Sequence, residues 1–258
     1  MDSKKRTFVP ALPRAADLRS SQTARATLLL RELVLDGHFL PGERIKEIPL
    51  ASKLEVSRIP LRLALERLAH EGLLDVRPTR GFVVQQFSST DMYDSIELRG
   101  SLEGTAARLA AERLRDSSDL SALRDLSKQM DSLFQKRDLN LAGFTSYIDL
   151  NARFHAALVE LSRSRILRRA VKQACTLPFA SPSAFLLKQQ ASPGSRELFQ
   201  IALDHHHGIL DAISHREGMR AEALAREHAR LARRNLDVAL GDRELMIKTV
   251  RGAKLVGV

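Results

Sequence analysis

Leu50-Ala51-Ser52-Lys53-Leu54-Glu55-Val56-Ser57-Arg58-Ile59-Pro60-Leu61-Arg62 is the stretch whose reading decides the fold. Pro49 can open a short helix over 49–54, because the first helical turn has no use for the N–H that proline lacks. Glu55-Val56 then makes a tight connection. Ser57 is a good N-cap for a helix from Arg58 to about Glu71, which tolerates Pro60 in its first turn and stops at Gly72. Within it, Ile59, Leu61, Leu65 and Leu68 are expected to pack inward, with Arg58, Arg62 and Arg67 outward.

Upstream, Ala24, Leu28, Leu29, Leu33 and Val34 recur at helical spacing over 21–37, and Leu40-Pro41-Gly42 reads as a turn. Downstream, strand-like runs over 73–77 and 82–86 flank Pro78-Thr79-Arg80-Gly81. Three helices followed by a β-hairpin is the order of a winged helix-turn-helix. The last helix would be the recognition helix, and Arg80 at the hairpin tip could reach a neighbouring minor groove. An arginine on an exposed helix face is often only a solvated charge. The weight lies in the ordered set, because a planar guanidinium can bridge two guanine acceptors or grip phosphate oxygens.

Composition agrees without deciding. The 258 residues carry a net charge of +10 and only 5% aromatics, a balance that suits helices and a polyanionic partner. Residues 1–86 hold 15 Lys/Arg against 10 Asp/Glu, half of the chain's excess in a third of its length. A single cysteine, Cys175, argues against a disulfide-stapled secreted fold. No apolar run approaches the ~18–20 residues of a membrane helix, and the expected location is the cytoplasm. The expected organisation is a flexible basic arm (1–20), a winged helix-turn-helix (21–86), an all-α helical bundle (87–240) and a weakly ordered tail (241–258).

Leu40-Pro41-Gly42-Glu43-Arg44, the quoted run to Arg62, Leu65-Glu66-Arg67-Leu68-Ala69-His70-Glu71-Gly72-Leu73 and Arg77-Pro78-Thr79-Arg80-Gly81-Phe82 together closely resemble the GntR family of bacterial transcriptional regulators. The resemblance implies operator contacts at Arg44, Arg58, Arg62 and the wing glycine Gly81. Ser57 and Arg80 complete the expected DNA-binding set. The chain departs from the family pattern at Ile59 (usually Thr), Leu61 (often Val) and Leu63 (usually Glu), so its preferred half-site can differ.

Beyond Ser89 the pattern is helical, with Thr90 as the expected cap of a helix through Leu109. Further helices are expected over 118–136, 144–161, 164–176, 196–214 and 218–240, and a short one over 184–190 inside a stretch broken by Pro178, Pro182 and Pro193. Asn151 and His155 lie one turn apart on one helical face. His206 is about 12 Å of helix before the connection at 215–218 and His228 about 15 Å after it, so an antiparallel hairpin brings them nearly level. Three imidazoles and an amide oxygen suit a borderline transition metal. His205-His206-His207 cannot all face one pocket, and spacing does not choose among them; a lone histidine is more often a core or surface residue than a ligand.

The segments around Asp149–Glu160, His206–Ile213, Glu227-His228 and Glu97–Arg113 are similar to the FCD ligand-binding domain of the FadR subfamily. That resemblance implies metal ligands at Asn151, His155, His206 and His228, where an aspartate is common in place of Asn151. The implied metal is a divalent transition ion, zinc or nickel first. Arg99 is the expected grip for the carboxylate of a small organic-acid effector, with a structural ion pair to Glu97 or Glu103 as its other reading. The function so implied is a homodimeric, metabolite-responsive transcription factor, most often a repressor, on a pseudo-palindromic operator. No nucleophile–base pair stands out; the alternative is a metal-dependent hydrolase using the three histidines.

Overall fold

A computed structural model of the chain describes residues 15–134, 141–177, 179–183, 195–250 and 252–257. Helix α1 (Ala15–Leu35) crosses α3 (Arg58–His70), and α2 (Glu47–Leu54) precedes α3. The turn between α2 and α3 depends on Glu55, which takes the left-handed conformation (φ 52°, ψ 44°) so that the amides of Glu55 and Val56 reach the carbonyls of Ser52 and Ala51. Strands β1 (Leu74–Arg77) and β2 (Gly81–Val84) form the antiparallel wing, paired from Leu74 with Val84 to Arg77 with Gly81. Arg44 bridges to Val83, which ties the 40–45 turn to the wing.

The buried stripe of α1 is Ala26, Leu30 and Val34, set against Leu61, Ala64, Leu65 and Leu68 of α3. Two expectations are corrected here. Leu28 is 58% exposed, because α3 meets the neighbouring stripe of α1. Ile59 is 67% exposed, because Leu61, Leu65 and Leu68 already define the inward face of α3, and Ile59 lies off it. Helix α1 also begins at Ala15, so residues 15–20 of the expected flexible arm are helical; residues 1–14 of that arm lie outside the described residues.

Helix α4 (Ser89–Glu112) starts on a capping box in which Ser88 and Asp91 satisfy one another's backbone amides. Ser88, not Thr90, is therefore the cap. Next come a 3-10 turn (Ser117–Leu120), α5 (Ser121–Phe134), α6 (Leu141–Leu161), α7 (Arg165–Ala174), α8 (Ser195–Ser214) and α9 (Gly218–Leu240). The helix expected over 184–190 falls outside the described residues. The bundle core gathers Phe144, Tyr147, Phe154 and Phe199 with Ala107, Ala110, Ala221 and Ala225.

Helices α4 and α9 approach so closely that they accept only small residues at the crossing. A Cβ on Gly100 would stand 2.8 Å from the Cβ of Ala229, and one on Gly104 3.1 Å from the carbonyl oxygen of Glu222. This crossing sets the height of His228 against α4.

The tail is the largest departure from expectation. Among its described residues it forms α10 (Arg243–Thr249) and a 3-10 turn (Ala253–Leu255). Met246, Val250, Ala253 and Leu255 enter the same buried cluster as Leu30, Leu65 and Phe82 of the winged domain and Met92, Ile96 and Leu236 of the bundle. Phe87 donates to the carbonyl of Leu255 and accepts from the amide of Gly257. Burial of four apolar side chains outweighs the tail's dispersed positive charge.

Gly100→Leu is expected to lower the unfolding free energy by about 2–3 kcal/mol in urea titration. Asp94→Ala, on the exposed side of the same helix, should change it by less than about 0.5 kcal/mol. Equal effects would contradict the close-crossing account.

Candidate functional site

Two sites take shape, one on each half of the chain. On the winged half, Arg44, Lys46, Arg58, Arg62, Arg80 and Gly81 line one groove of about 710 Å³ between α3 and the wing. Ile59 lines it as well. Arg44 is held there by the ladder contacts of its neighbours: Ile45 donates to Phe82 and Val84 donates to Glu43. Arg80 closes the turn onto the carbonyl of Arg77. Gly81 follows with φ 67° and open space where a Cβ would lie, so it is the turn's conformation that selects glycine. Ser57 caps α3 by backbone geometry alone, and its hydroxyl makes no cap hydrogen bond.

Arg62 meets Glu66 at 3.6 Å with both side chains exposed, a pairing of little energetic weight. Among the described residues no carboxylate pairs with Arg44, Arg58 or Arg80. Arg67 differs: it turns back to Glu71 at 3.4 Å, and Glu71 is also gripped from α1 by Arg31 at 2.7 Å. That exposed arginine serves the packing of α1 on α3.

On the helical half, His155 (α6), His206 (α8) and His228 (α9) converge. The Nε2 atom of His228 lies 3.2 Å from that of His155 and 3.2 Å from that of His206. All three rings are buried. The axial arithmetic for α8 and α9 therefore holds, and the structure makes the choice within 205–207: His206 points inward, whereas His207 pairs with Asp131 at 3.0 Å. Asn151 is buried one turn before His155, with its amide nitrogen donating to Ser183 Oγ at 3.4 Å.

Sequence reasoning did not assign Glu103 to this site. It lies on α4 one turn after Arg99, fully buried, and its Oε2 is 2.8 Å from Arg99 Nη1 and 3.1 Å from His155 Nδ1. The histidine contact has ion-pair distance without the angle of a well-formed hydrogen bond. Burial alone would raise the Glu103 carboxyl, but Arg99 and His155 together hold it down to about 2. The Arg99–Glu103 spacing of four residues was the available signal. Arg99 thus makes the ion pair foreseen as its other reading, yet its buried Nε has no hydrogen-bond partner. Arg99, Asn151 and His228 line a small internal void of about 30 Å³.

Burial, reinforced by the neighbouring histidines, pushes His206 and His228 well below the usual imidazole range. Neutral rings keep lone pairs. Three buried Nε2 atoms facing one another cannot all be satisfied by hydrogen bonds among themselves, and the Nδ1 atoms of His206 and His228 have no partner. A tetrahedral shell with metal–nitrogen bonds of about 2.0–2.1 Å has nitrogen–nitrogen edges of about 3.3 Å. The two 3.2 Å spacings from His228 fit edges of that shell, the ligand atoms of all three rings lie within 4.8 Å of one another, and Glu103 behind His155 has the place of an orienting carboxylate.

A second cavity of about 210 Å³ opens on the far side of His155, lined by Glu103, Arg168, Lys172 and Cys175. Burial raises the Cys175 thiol to about 11, so it is no thiolate nucleophile. The same α7 that lines this cavity continues to the winged half: Gln173 Nε2 donates to the carbonyl of His70, and Thr176 Oγ1 to that of Glu71. Both acceptors sit at the C-terminal end of α3.

Known proteins carry the same two halves in the same order. The family model for bacterial regulatory proteins of the gntR family matches residues 22–84, and that for the FCD domain matches residues 94–231. The Nta operon transcriptional regulator of Aminobacter aminovorans is 39% identical over 135 residues, 52% of this chain and 61% of that protein. The chain thus spans about three-fifths of that relative's length. The HTH-type transcriptional repressor RspR of Escherichia coli is 24% identical over 209 residues, 78% of this chain and 82% of that protein. The solved structure of E. coli McbR/YncC superposes with a TM-score of 0.56 at 23% identity, covering 84% of this chain and 97% of that one, which speaks for the fold alone. These named relatives are transcription regulators, not enzymes. With a winged helix-turn-helix matched by one model and the histidine-bearing bundle by the other, the chain belongs to the gntR family of bacterial regulatory proteins and carries its FCD domain.

Proposed function

We propose that the protein is a sequence-specific DNA-binding transcription regulator, a cytoplasmic homodimer that represses from a pseudo-palindromic operator. The observation that carries this reading is the gathering of Arg44, Arg58, Arg62 and Arg80 on one groove beside the recognition helix. Arg58 and Arg62 sit in the first turns of α3, the part that reaches base edges when such a helix enters the major groove. Ser57 and Gly81 bring a free hydroxyl and a close backbone approach to the phosphates, and Arg80 extends the wing toward the minor groove. Twofold symmetry of the dimer requires two like half-sites.

In the FCD half, His155, His206 and His228 would hold a divalent transition metal, zinc or nickel first. The oxygen of Asn151 is the ligand atom left once its nitrogen is used on Ser183. Such an ion supplies a Lewis-acidic position for a carboxylate. Arg99, whose Nε is buried without a protein partner, would hold the same small organic acid. Binding there is proposed to alter operator affinity, with a coupling of ~1–3 kcal/mol typical of linked sites. The hydrolase alternative loses ground on the family assignment.

Arg58→Ala or Arg62→Ala should reduce discrimination between the selected operator and a mismatched one by about 10- to 100-fold, with unchanged circular dichroism. An unchanged specificity ratio contradicts the recognition-helix assignment. Untagged protein should carry about one divalent metal per chain by elemental analysis, a stoichiometry that follows from one three-histidine cluster per chain. His155→Ala and His228→Ala should each lower that content, and full content in both defeats the metal assignment.

The depressed Glu103 carboxyl predicts acid lability. Its contribution, on the order of 3 kcal/mol, is complete above about pH 5 and drains as pH falls toward its folded value. Neutral His206 and His228 add a loss that begins below about pH 6.5, where the unfolded chain takes up protons. Glu103→Gln should cost about 3–5 kcal/mol at pH 7 by leaving Arg99 unpaired, and should flatten the pH dependence of stability below pH 5. An equally steep decline in the variant contradicts the assignment.

A further inference from the structure

The outward face of α3 carries two parallel rows. Arg58 and Arg62 form one; Ile59 and Leu63, also four residues apart, form the other, 67% and 47% exposed. Packing does not explain Ile59. The inward face of α3 is filled by Leu61, Leu65 and Leu68, each fully buried, and Ile59 opens instead into the groove lined by Arg44, Arg58, Arg62 and Arg80. The cationic lining states what covers this apolar side chain: a polyanion whose recognised surface also offers apolar groups. In the major groove of DNA that group is the C5-methyl of thymine, the one hydrocarbon feature among the base edges.

We propose that Ile59 is a specificity-determining residue that reads a thymine methyl in each operator half-site, beside the bases addressed by Arg58 and Arg62. The inference rests on the DNA-binding reading above and adds to it a base identity. Ile59 suits the task. A β-branched side chain on a helix is nearly confined to one χ1 rotamer, so it presents a stiff apolar knob with little conformational freedom to lose. Its place in the first turn of α3 is where base edges come within reach, and Leu63 continues the apolar row one turn further on.

The experiment selects binding sites for the full-length protein from random-sequence DNA, then replaces each thymine of the selected site singly by deoxyuridine, which removes only the C5-methyl. With the unaltered protein, one substitution per half-site should weaken binding roughly fourfold, the worth of one buried methyl-sized group. Ile59→Ala, which removes the contact in both half-sites of the dimer, should lose about 16-fold on the thymine site and nothing further when either thymine is replaced by uridine. The thermal midpoint of the variant should be unchanged, because the side chain is exposed. Failure to enrich any sequence overturns the DNA-reading assignment, and this inference with it. Enrichment with no uridine effect at any position, or with a uridine penalty that persists in Ile59→Ala, overturns the role of Ile59 and leaves the DNA-binding reading standing.

Discussion

A carboxylate buried in the middle of a helical bundle must find positive partners or it cannot stay charged. Glu103 finds Arg99 on its own helix, with the ring of His155 on α6 beside the same oxygen, and much of the bundle's polar interior follows. Its contact with His155 leaves the other nitrogen of that ring facing His228, which in turn faces His206. Four helices are thereby aligned around one polar line. The small-residue crossing of α4 and α9 at Gly100 and Ala229 sets the spacing that lets His228 join it.

The polar interior is connected to the DNA-reading face by packed structure. Leu30 and Leu65 of the winged domain, Ile96 of α4, Leu236 of α9 and Leu255 of the tail share one buried cluster. Phe87, just before α4, meets Phe179 edge-on at 4.8 Å. On the other side, α7 borders the cavity beside His155 and Glu103 and ends in two hydrogen bonds to the last carbonyls of the recognition helix and its cap. A winged domain joined by a bare linker would not feel a change in the bundle. Here the recognition helix is held at its C-terminal end by the same element that borders the histidine cavity.

Most of the winged half was legible from residues 40–82, because its signals are local. Ser57 before a helix, Gly72 after it, and the turn at 78–81 each act within a few residues, and α9 from Gly218 to Leu240 was read to its ends for the same reason. The near-equal levels of His206 and His228 were legible because helix geometry is regular enough to carry axial distances over ten residues, whereas the choice of His206 among its neighbours came only with the resemblance to the FCD domain. What failed was whatever a remote partner decides. The stripe that α1 buries is chosen by α3, since its leucines offer two neighbouring faces. Ile59 reads as core by residue type and is surface by angle. The tail looks like a charged terminus until Val250 and Leu255 find the winged domain. Glu103 stands one turn from Arg99 in the sequence, but only the fold brings His155 against it.

Charge took on meaning only through placement. An excess of ten positive charges is compatible with many partners; arginines from the 40–45 turn, the recognition helix and the wing on one groove point to one. The most direct measurement of that claim is the affinity of the full-length protein for its selected operator as a function of salt. Each phosphate contact contributes a slope of about −0.9 to the plot of log affinity against log salt. The proposed dimer, presenting these arginines twice, is predicted to give a linear plot with a slope on the order of −4 to −8. A flat response would contradict the account.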